Sequence, residues 1–280
     1  MGRNGTHFRR IFKTSLTCLA GLATLTPSIG SAQGDLLIAP TRLVLDGRRG
    51  GEVILSNMGS EEATYRVALE LRRMDENGNL TPVDVGEASE SERAALEMIR
   101  YAPRRVTLPP AQPQSVRISA RPGADLPDGE YRVHMSFAAL PKVQSVAQPQ
   151  AAGNGVSISL TPIYGIVMPI IVRKGQLQVT AALANPRIER TERGEAFVIE
   201  LVRSGSSSVY GDLMVFARGA SEPAFVARGI GVYPEIERRQ ASFSLSPEQR
   251  AAMTGSVRIE FREASENGGA LIAAVDTVLG

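Results

Sequence analysis

The chain has little of the chemistry on which most enzymes depend. Of its 280 residues, one is cysteine, two are histidine and none is tryptophan. Cys18 and His7 lie in an N-terminal segment that we expect to be removed, which leaves His134 as the only imidazole. Without a thiol, thiolate catalysis is excluded, and one imidazole argues against a histidine triad or a histidine-rich metal site. We therefore predict no enzyme activity, no metal and no cofactor.

The N-terminal segment has the pattern of an export signal. Basic residues between Arg3 and Lys13 precede a short apolar run, Leu16 to Leu25, and the small residues Gly30-Ser31-Ala32 follow. This order is typical of a signal peptide, so we expect residues 1–32 to be cleaved and the protein to reach the periplasm. The apolar run is shorter than the about 20 residues that span a bilayer. We predict no membrane insertion.

The charge balance argues against a nucleic-acid partner. The chain has 31 basic and 29 acidic residues, a formal net charge of +2. Four of the basic residues belong to the expected signal peptide, so the remaining chain has 27 basic residues against 29 acidic ones, a net charge of −2. A protein that binds phosphate backbones needs a basic excess. We predict no binding to nucleic acid.

After residue 32, most of the chain consists of short alternating or β-branched runs with turn residues between them. Short strands at this spacing, without intervening helices, are typical of β-sandwiches. Residues 75–78 are a hairpin signal, and residues 89–98 form the one helical candidate. The predicted strands of the first part are 36–45, 51–56, 64–71, 105–108, 115–119, 131–138 and one long strand over 156–172. Those of the second part are 177–181, 196–202, 209–218, 224–232, 240–245, 256–261 and 270–278.

We therefore predict an all-β fold of two tandem immunoglobulin-like β-sandwich domains. The sequence Arg173-Lys174-Gly175 marks the boundary, so the domains span 33–173 and 174–280. Domains of this size can bury a core without disulfides. His134 falls within a predicted strand, where we expect a hydrogen-bonded histidine of the sandwich.

A polar segment leads into one strand with strict alternation. Residues 141–155 are rich in proline, glutamine and alanine, and Val156, Ile158 and Leu160 then alternate with polar residues. Alternation is typical of a strand with one buried face. A strand that follows such a polar segment can pair with another protein, or its apolar side chains can face the core of its own domain. The residues themselves leave both alternatives open.

Five sequence blocks of the first predicted domain resemble those of periplasmic pilus-assembly chaperones. These blocks occur in the family's order and spacing: Ala39 to Leu45, Val53 to Asn57, Tyr101 to Val106, Gln114 to Ile118 and Leu126 to Arg132. The pattern is most similar to the archaic, spore-coat-protein-type branch of chaperone–usher systems. The second predicted domain resembles the family only in its size, strand count and position.

The resemblance implies a boomerang arrangement of the two domains and a role in binding pilin subunits. In the family, a long strand fills the groove of an incomplete pilin by donor-strand complementation. The matching residues are Val156, Ile158 and Leu160, with Ile163 as a further candidate. The resemblance also implies delivery to an outer-membrane usher, and the free chaperone could cap its own edge as a dimer. The alternative is a secreted structural or adhesive protein whose residues 156–163 pair only within their own domain.

A basic pair in the family anchors the carboxylate at the C-terminus of the subunit. Arg42 matches its first member, and a guanidinium can hold a carboxylate through two bonds. The second member is a lysine in the family, but Pro169 occupies that position here. The second cation would then be Arg173 or Lys174.

The resemblance also implies an ion network between the domains. Its positions match Glu130, Arg173 and an acid near Glu266. The alternative is that these are three unrelated surface charges, each of which contributes little to stability. A role in this network would take Arg173 away from the carboxylate anchor.

Overall fold

A computed structural model describes residues 36–141 and 164–280, except for the side chain of Glu266. The first group of strands is β1 (Leu36–Ala39), β2 (Leu43–Leu45), β3 (Gly51–Asn57), β4 (Ala63–Met74), β5 (Leu80–Val83), β6 (Ile99–Ala102), β7 (Arg105–Leu108), β8 (Pro113–Ala120), β9 (Gly129–Leu140) and β10 (Gly165–Lys174). The second is β11 (Val179–Thr191), β12 (Gly194–Gly205), β13 (Val209–Ala217), β14 (Phe225–Val232), β15 (Arg238–Ser244), β16 (Gly255–Arg262) and β17 (Leu271–Leu279). The helices are α1 (Glu90–Met98) and α2 (Pro247–Ala252), with short 3-10 turns at Val85–Glu87 and Ser265–Asn267.

Strands β1 to β10 form the first sandwich. One sheet has the order β1-β3-β8-β6, and the other has the order β2-β10-β9-β4-β5 with β7 also paired to β4. The inward side chains of both sheets share one apolar core, with Val53 and Leu55 from one sheet and Phe137 and Met168 from the other. Each fully buried side chain of this kind contributes about 1.5–3 kcal/mol. This core fixes the position of β10.

The strand predicted at 36–45 is in fact two strands. β1 pairs with β3 in one sheet, whereas β2 pairs in parallel with β10 in the other. Pro40 stands between them, and proline has no N–H with which to continue a ladder. The prediction of one continuous strand is therefore wrong. Arg42 lies where the chain crosses from one sheet to the other.

The helix predicted at 89–98 is confirmed as α1, with Ser89 as its N-cap. The N–H of Glu92 donates to Ser89 Oγ, and the N–H of Ser89 donates to the carboxylate of Glu92. This capping box satisfies two amides of the first turn. Arg73 binds the same carboxylate and, as the main cause, lowers the pKa of Glu92 to about 2.

Strands β11 to β17 form the second sandwich, with sheets of order β11-β12-β15 and β14-β13-β16-β17. Each of the seven predicted strands overlaps an observed one, and the prediction of two β-sandwiches is confirmed. Phe197 and Phe225 pack edge to face in the core, with ring centroids 5.8 Å apart. The boomerang arrangement stays a prediction.

The hairpin predicted at 75–78 is confirmed as the turn between β4 and β5, but three elements are not among the predicted strands and helix. β5 contains Pro82, which argues against a strand, and it lies at the edge of its sheet, where proline is tolerated. β6 follows α1 directly, without a turn signal between them. α2 has a detectable signal, because Ser246 and Gln249 form a capping box around Pro247 in the first turn.

Candidate functional site: an open strand edge beside a charged junction

Strand β10 has a complete neighbour on one side and a partial one on the other. It pairs with β9 over its whole length, from Gly165 opposite Ala138 to Lys174 opposite Gly129. On its second side, β2 covers only Ile170–Val172. Within residues 36–141 and 164–280, no strand pairs with the second side of residues 165–169. An unpaired strand edge can accept a strand from another chain.

The direction in which the backbone groups of β10 point follows from one hydrogen bond. The N–H of Ala139 donates to the carbonyl of Tyr164 at 3.0 Å. In an antiparallel ladder, alternate residues bond to the same neighbour, so even-numbered residues of β10 face β9 with their backbone groups. Gly165 and Val167 therefore direct their N–H groups to the open side. Pro169 also faces this side but has no N–H.

The side chains of β10 alternate in the same way. Met168 and Ile170 are buried in the core of the first sandwich, and Ile166 packs against that core. Ile171 faces the other way and is buried with Tyr233 of the second sandwich. The even-numbered face is thus the core-facing one.

The four residues predicted to be donated to a partner, Val156, Ile158, Leu160 and Ile163, lie outside the described residues. The described chain resumes at Tyr164, whose side chain is 52% exposed. The long strand predicted over 156–172 is therefore described only from residue 165 onward, as the first part of β10.

Arg42 reaches from the first sandwich to the second. Its Nη2 donates to Ser208 Oγ at 3.2 Å, and its guanidinium carbon lies 4.7 Å from the centroid of the Tyr210 ring. Its Nε is buried and has no hydrogen-bond partner among the residues that the structure describes. Burial lowers the pKa of Arg42, whereas Tyr233 and Glu130 raise it. Cation–π and hydrogen-bond contacts thus hold a guanidinium that retains further donor capacity.

Glu130 and Arg173 come together beside Arg42. The fully buried carboxylate of Glu130 accepts bonds at Oε2 from Arg173 Nε at 3.1 Å, from the Ser208 N–H at 3.1 Å and from Ser208 Oγ at 2.9 Å. Arg173 Nη2 also donates to the Ser208 carbonyl at 3.4 Å. The side chain of the third predicted member, Glu266, lies outside the described structure. Ser208 links the charges of this junction, a role that its serine-rich turn did not signal.

Both candidates for a second anchoring cation make other contacts. Arg173 is bound to Glu130, as described above. Lys174 Nζ donates to the carbonyl of Ala124 at 2.8 Å and to the carbonyl of Leu126. A carboxylate that bound either cation would have to compete with these bonds.

A second contact between the sandwiches was not predicted. Arg132 Nη1 donates to Glu235 Oε2 at 3.1 Å, and the Arg132 guanidinium carbon lies 3.7 Å from the centroid of the Tyr233 ring. Glu235 Oε1 also accepts from the N–H of Met74 at 2.9 Å. Met74, Ile171 and Tyr233 form a small apolar cluster next to these charges. Ionic and apolar contacts therefore reinforce each other here.

The β4–β5 hairpin also contacts the second sandwich. The N–H of Gln240 donates to the carbonyl of Glu76 at 2.7 Å. Gly78 has φ +83°, and a Cβ at this position would lie 2.2 Å from Arg239 Nε. The positive φ therefore requires glycine here, and the guanidinium of Arg239 packs where a side chain would otherwise lie.

His134 does not behave as predicted. Its side chain is 1% exposed, and neither ring nitrogen has a hydrogen-bond partner among the described residues. The prediction of a hydrogen-bonded histidine is therefore wrong within the described part of the chain. Burial, helped by Arg132 and Arg72, lowers the pKa of His134 to about 3. The imidazole is neutral in the folded protein at neutral pH.

No helix within the described ranges is long and apolar enough to cross a membrane. In the same part of the chain, no three histidine, cysteine, aspartate or glutamate side chains are grouped so as to hold a metal ion.

The solved structures that are similar to this chain are those of pilus chaperones. No protein-family model matches the chain, and no curated sequence does. Among solved structures, the CsuC–CsuE chaperone–subunit complex of the archaic Csu pili of Acinetobacter baumannii is 12% identical, with a TM-score of 0.44, over 88% of this chain and 99% of that one. The Salmonella enterica SafB chaperone with SafA pilin is 14% identical, with a TM-score of 0.43, over 88% and 97%. The Pseudomonas aeruginosa CupB2 chaperone is 15% identical, with a TM-score of 0.43, over 87% and 100%. The similar structures are thus chaperones, as the sequence blocks led us to expect, and likenesses this distant assign no activity or partner to this chain.

Proposed function

We propose that this protein is a periplasmic chaperone that binds pilin subunits by strand addition and delivers them to an outer-membrane usher. In this proposal, residues 1–32 are the signal peptide, and 33–173 and 174–280 are the two domains. The open side of residues 165–169 in β10 carries the proposal, because an edge left unpaired within a folded sheet can accept a partner strand. No chemical step, metal or cofactor is required.

The alternation of β10 indicates which residues would enter the subunit. Met168 and Ile170 have even numbers and face the core. If the same pleat continues toward the N-terminus, Val156, Ile158 and Leu160 share that face, because side chains two residues apart point the same way. Ile163 stays a further candidate for the donated strand. Tyr164 is exposed and even-numbered, like Met168 and Ile170. We propose it as an additional residue that contacts the subunit.

The position of β2 supports Arg42 as the anchor for the C-terminus of the subunit. β2 runs parallel to β10 and begins with Leu43 opposite Ile170. A subunit strand added in the same direction would have to end before β2 begins, next to Arg42. A guanidinium at that point can bind a terminal carboxylate. Arg173 is assigned to the contact with Glu130 rather than to the anchor.

The test is co-purification of the chain with a pilin-like subunit encoded next to its gene. We expect Ile158→Asp with Leu160→Asp to abolish co-purification, because two charges would enter an apolar groove. The matched control, Ser157→Asp with Ser159→Asp, places the same charges on the other face and should retain the subunit. Circular dichroism checks that both variants are folded. Equal co-purification of the two variants would contradict strand addition and favour the structural or adhesive alternative.

A further inference from the structure

Pro169 stands where the open half of β10 meets the half that β2 covers. Gly165 and Val167 direct N–H groups to the open side, and the next group in that row would be the N–H of residue 169. Proline removes it. The row of main-chain donors therefore stops one step before β2.

β2 shows how far an added strand can extend. Leu43 lies opposite Ile170, so one step back in the same parallel register places Arg42 level with Pro169. Among the described residues, none pairs with this side of β10 before Ile170, so a strand that enters parallel to β10 could extend to the position opposite Met168. Beyond that position it meets Arg42 and Leu43.

We propose that Pro169 withholds a main-chain donor from the terminal carboxylate of the bound strand, so that Arg42 alone holds it. In a parallel ladder, the carbonyl of the residue opposite Met168 would accept a bond from the N–H of residue 169. In this chain Pro169 supplies no N–H to the terminal carboxylate at that point. This inference rests on the proposed function. Pro169 is the residue that weakens the binding of the subunit's terminal carboxylate next to Arg42.

A main-chain N–H at residue 169 would strengthen the binding of the subunit. A hydrogen bond from a main-chain N–H to a carboxylate is charge-assisted, and such a bond changes binding by about tenfold. Alanine adopts the extended backbone of a strand and supplies the missing N–H. Pro169→Ala should therefore slow the release of the subunit.

The experiment measures the dissociation rate of a pilin-like subunit, encoded next to the gene of this chain, from the full-length mature chaperone. We expect Pro169→Ala to slow dissociation about tenfold, and to restore part of the binding lost in Arg42→Ala. Val167→Pro is the matched control. It removes a donor from the same open row without removing one from the β9 ladder, and it should speed dissociation. Lengthening the subunit by one C-terminal glycine should abolish the gain from Pro169→Ala, because the carboxylate is displaced.

The outcomes separate this inference from the proposed function. Failure of the unaltered chain to bind the subunit would overturn both. Binding by the unaltered chain with an unchanged or faster release from Pro169→Ala would overturn only the role of Pro169. A gain from Pro169→Ala that persists with the lengthened subunit would also overturn it, because the new N–H would then be bonding something other than the carboxylate.

Discussion

The two halves of β10 differ in their neighbours more than in their residues. Ile170 and Val172 are enclosed by β9 and β2, and Ile171 is covered by Tyr233 of the second sandwich. Residues 165–169 have β9 on one side, and no described strand on the other. Aliphatic side chains occur in both halves, so composition does not explain the difference. The difference arises at the point where β2 begins. One strand can thus be enclosed at one end and have an edge at the other that no described strand covers.

The largest expected effect is a difference in stability between the two halves. Ile170 is fully buried, so Ile170→Ala should lower the free energy of unfolding by about 2–5 kcal/mol through lost burial and a cavity. Val167 is only half-buried, and Val167→Ala should cost about 1 kcal/mol or less. Urea denaturation of the mature protein measures both values. Equal losses would show that the half we describe as open is in fact enclosed.

A smaller loss of stability is expected at the charged junction of Glu130, Arg173 and Ser208, which lies next to the part of β10 that β2 covers. Glu130→Ala removes an acceptor of three hydrogen bonds and should lower the free energy of unfolding by roughly 2 kcal/mol. The control is Glu189→Ala, because Glu189 pairs with Arg187 at an exposed site and should change stability by less than about 0.5 kcal/mol. Denaturation curves compare the two variants. A loss at Glu130 no larger than the loss at Glu189 would contradict a structural role for the junction.

The smallest effect depends on pH and concerns His134, which lies opposite Pro169 in the ladder. The pKa of His134 is about 3 in the folded protein, below its ordinary value of 6.5, so the unfolded chain takes up the proton first as the pH falls. The stability linked to His134 is complete above pH 6.5 and is lost as the pH falls toward 3. By pH 5.5 the loss is about 1.4 kcal/mol.

His134→Leu tests this linkage, because leucine cannot be protonated and both ring nitrogens are unpaired among the described residues. We expect the parent to lose about 1.4 kcal/mol more than the variant between about pH 7.5 and 5.5. At the higher pH the two should be similar in stability. Urea denaturation at each pH gives the difference. The same pH dependence in both proteins would mean that His134 is already protonated, or exposed, in the folded state.

Local patterns predicted most of the strands and the helix. Ser89 and Glu92 signal the start of α1 because a capping box acts within one turn. The break at Pro40 follows from a local property as well, since proline cannot continue a ladder. β6 escaped prediction because nothing in its sequence separates it from α1.

The junction was only partly predictable because its contacts join distant parts of the chain. The bonds from Ser208 to Glu130 span 78 residues, and the bonds from Arg132 to Glu235 span 103. No local pattern marks a serine that links two charges, or an arginine that packs on a tyrosine of another sandwich. The resemblance to pilus chaperones brought Glu130 and Arg173 together, but it did not indicate Ser208, Arg132 or Glu235.

The sequence by itself determined that residues 166–172 of β10 are all apolar, that Pro169 has no N–H to donate, and that His134 is the one histidine after residue 32. These are properties of single residues and of their spacing. Only the tertiary structure decided that β2 begins opposite Ile170 and leaves residues 165–169 without a second described neighbour, that Pro169 faces that side, and that His134 is buried without a hydrogen bond to any described residue. A strand edge is open or covered according to which strands lie next to it, and a side chain is buried according to which surfaces pack on it. These neighbours come from parts of the chain that are far apart in sequence.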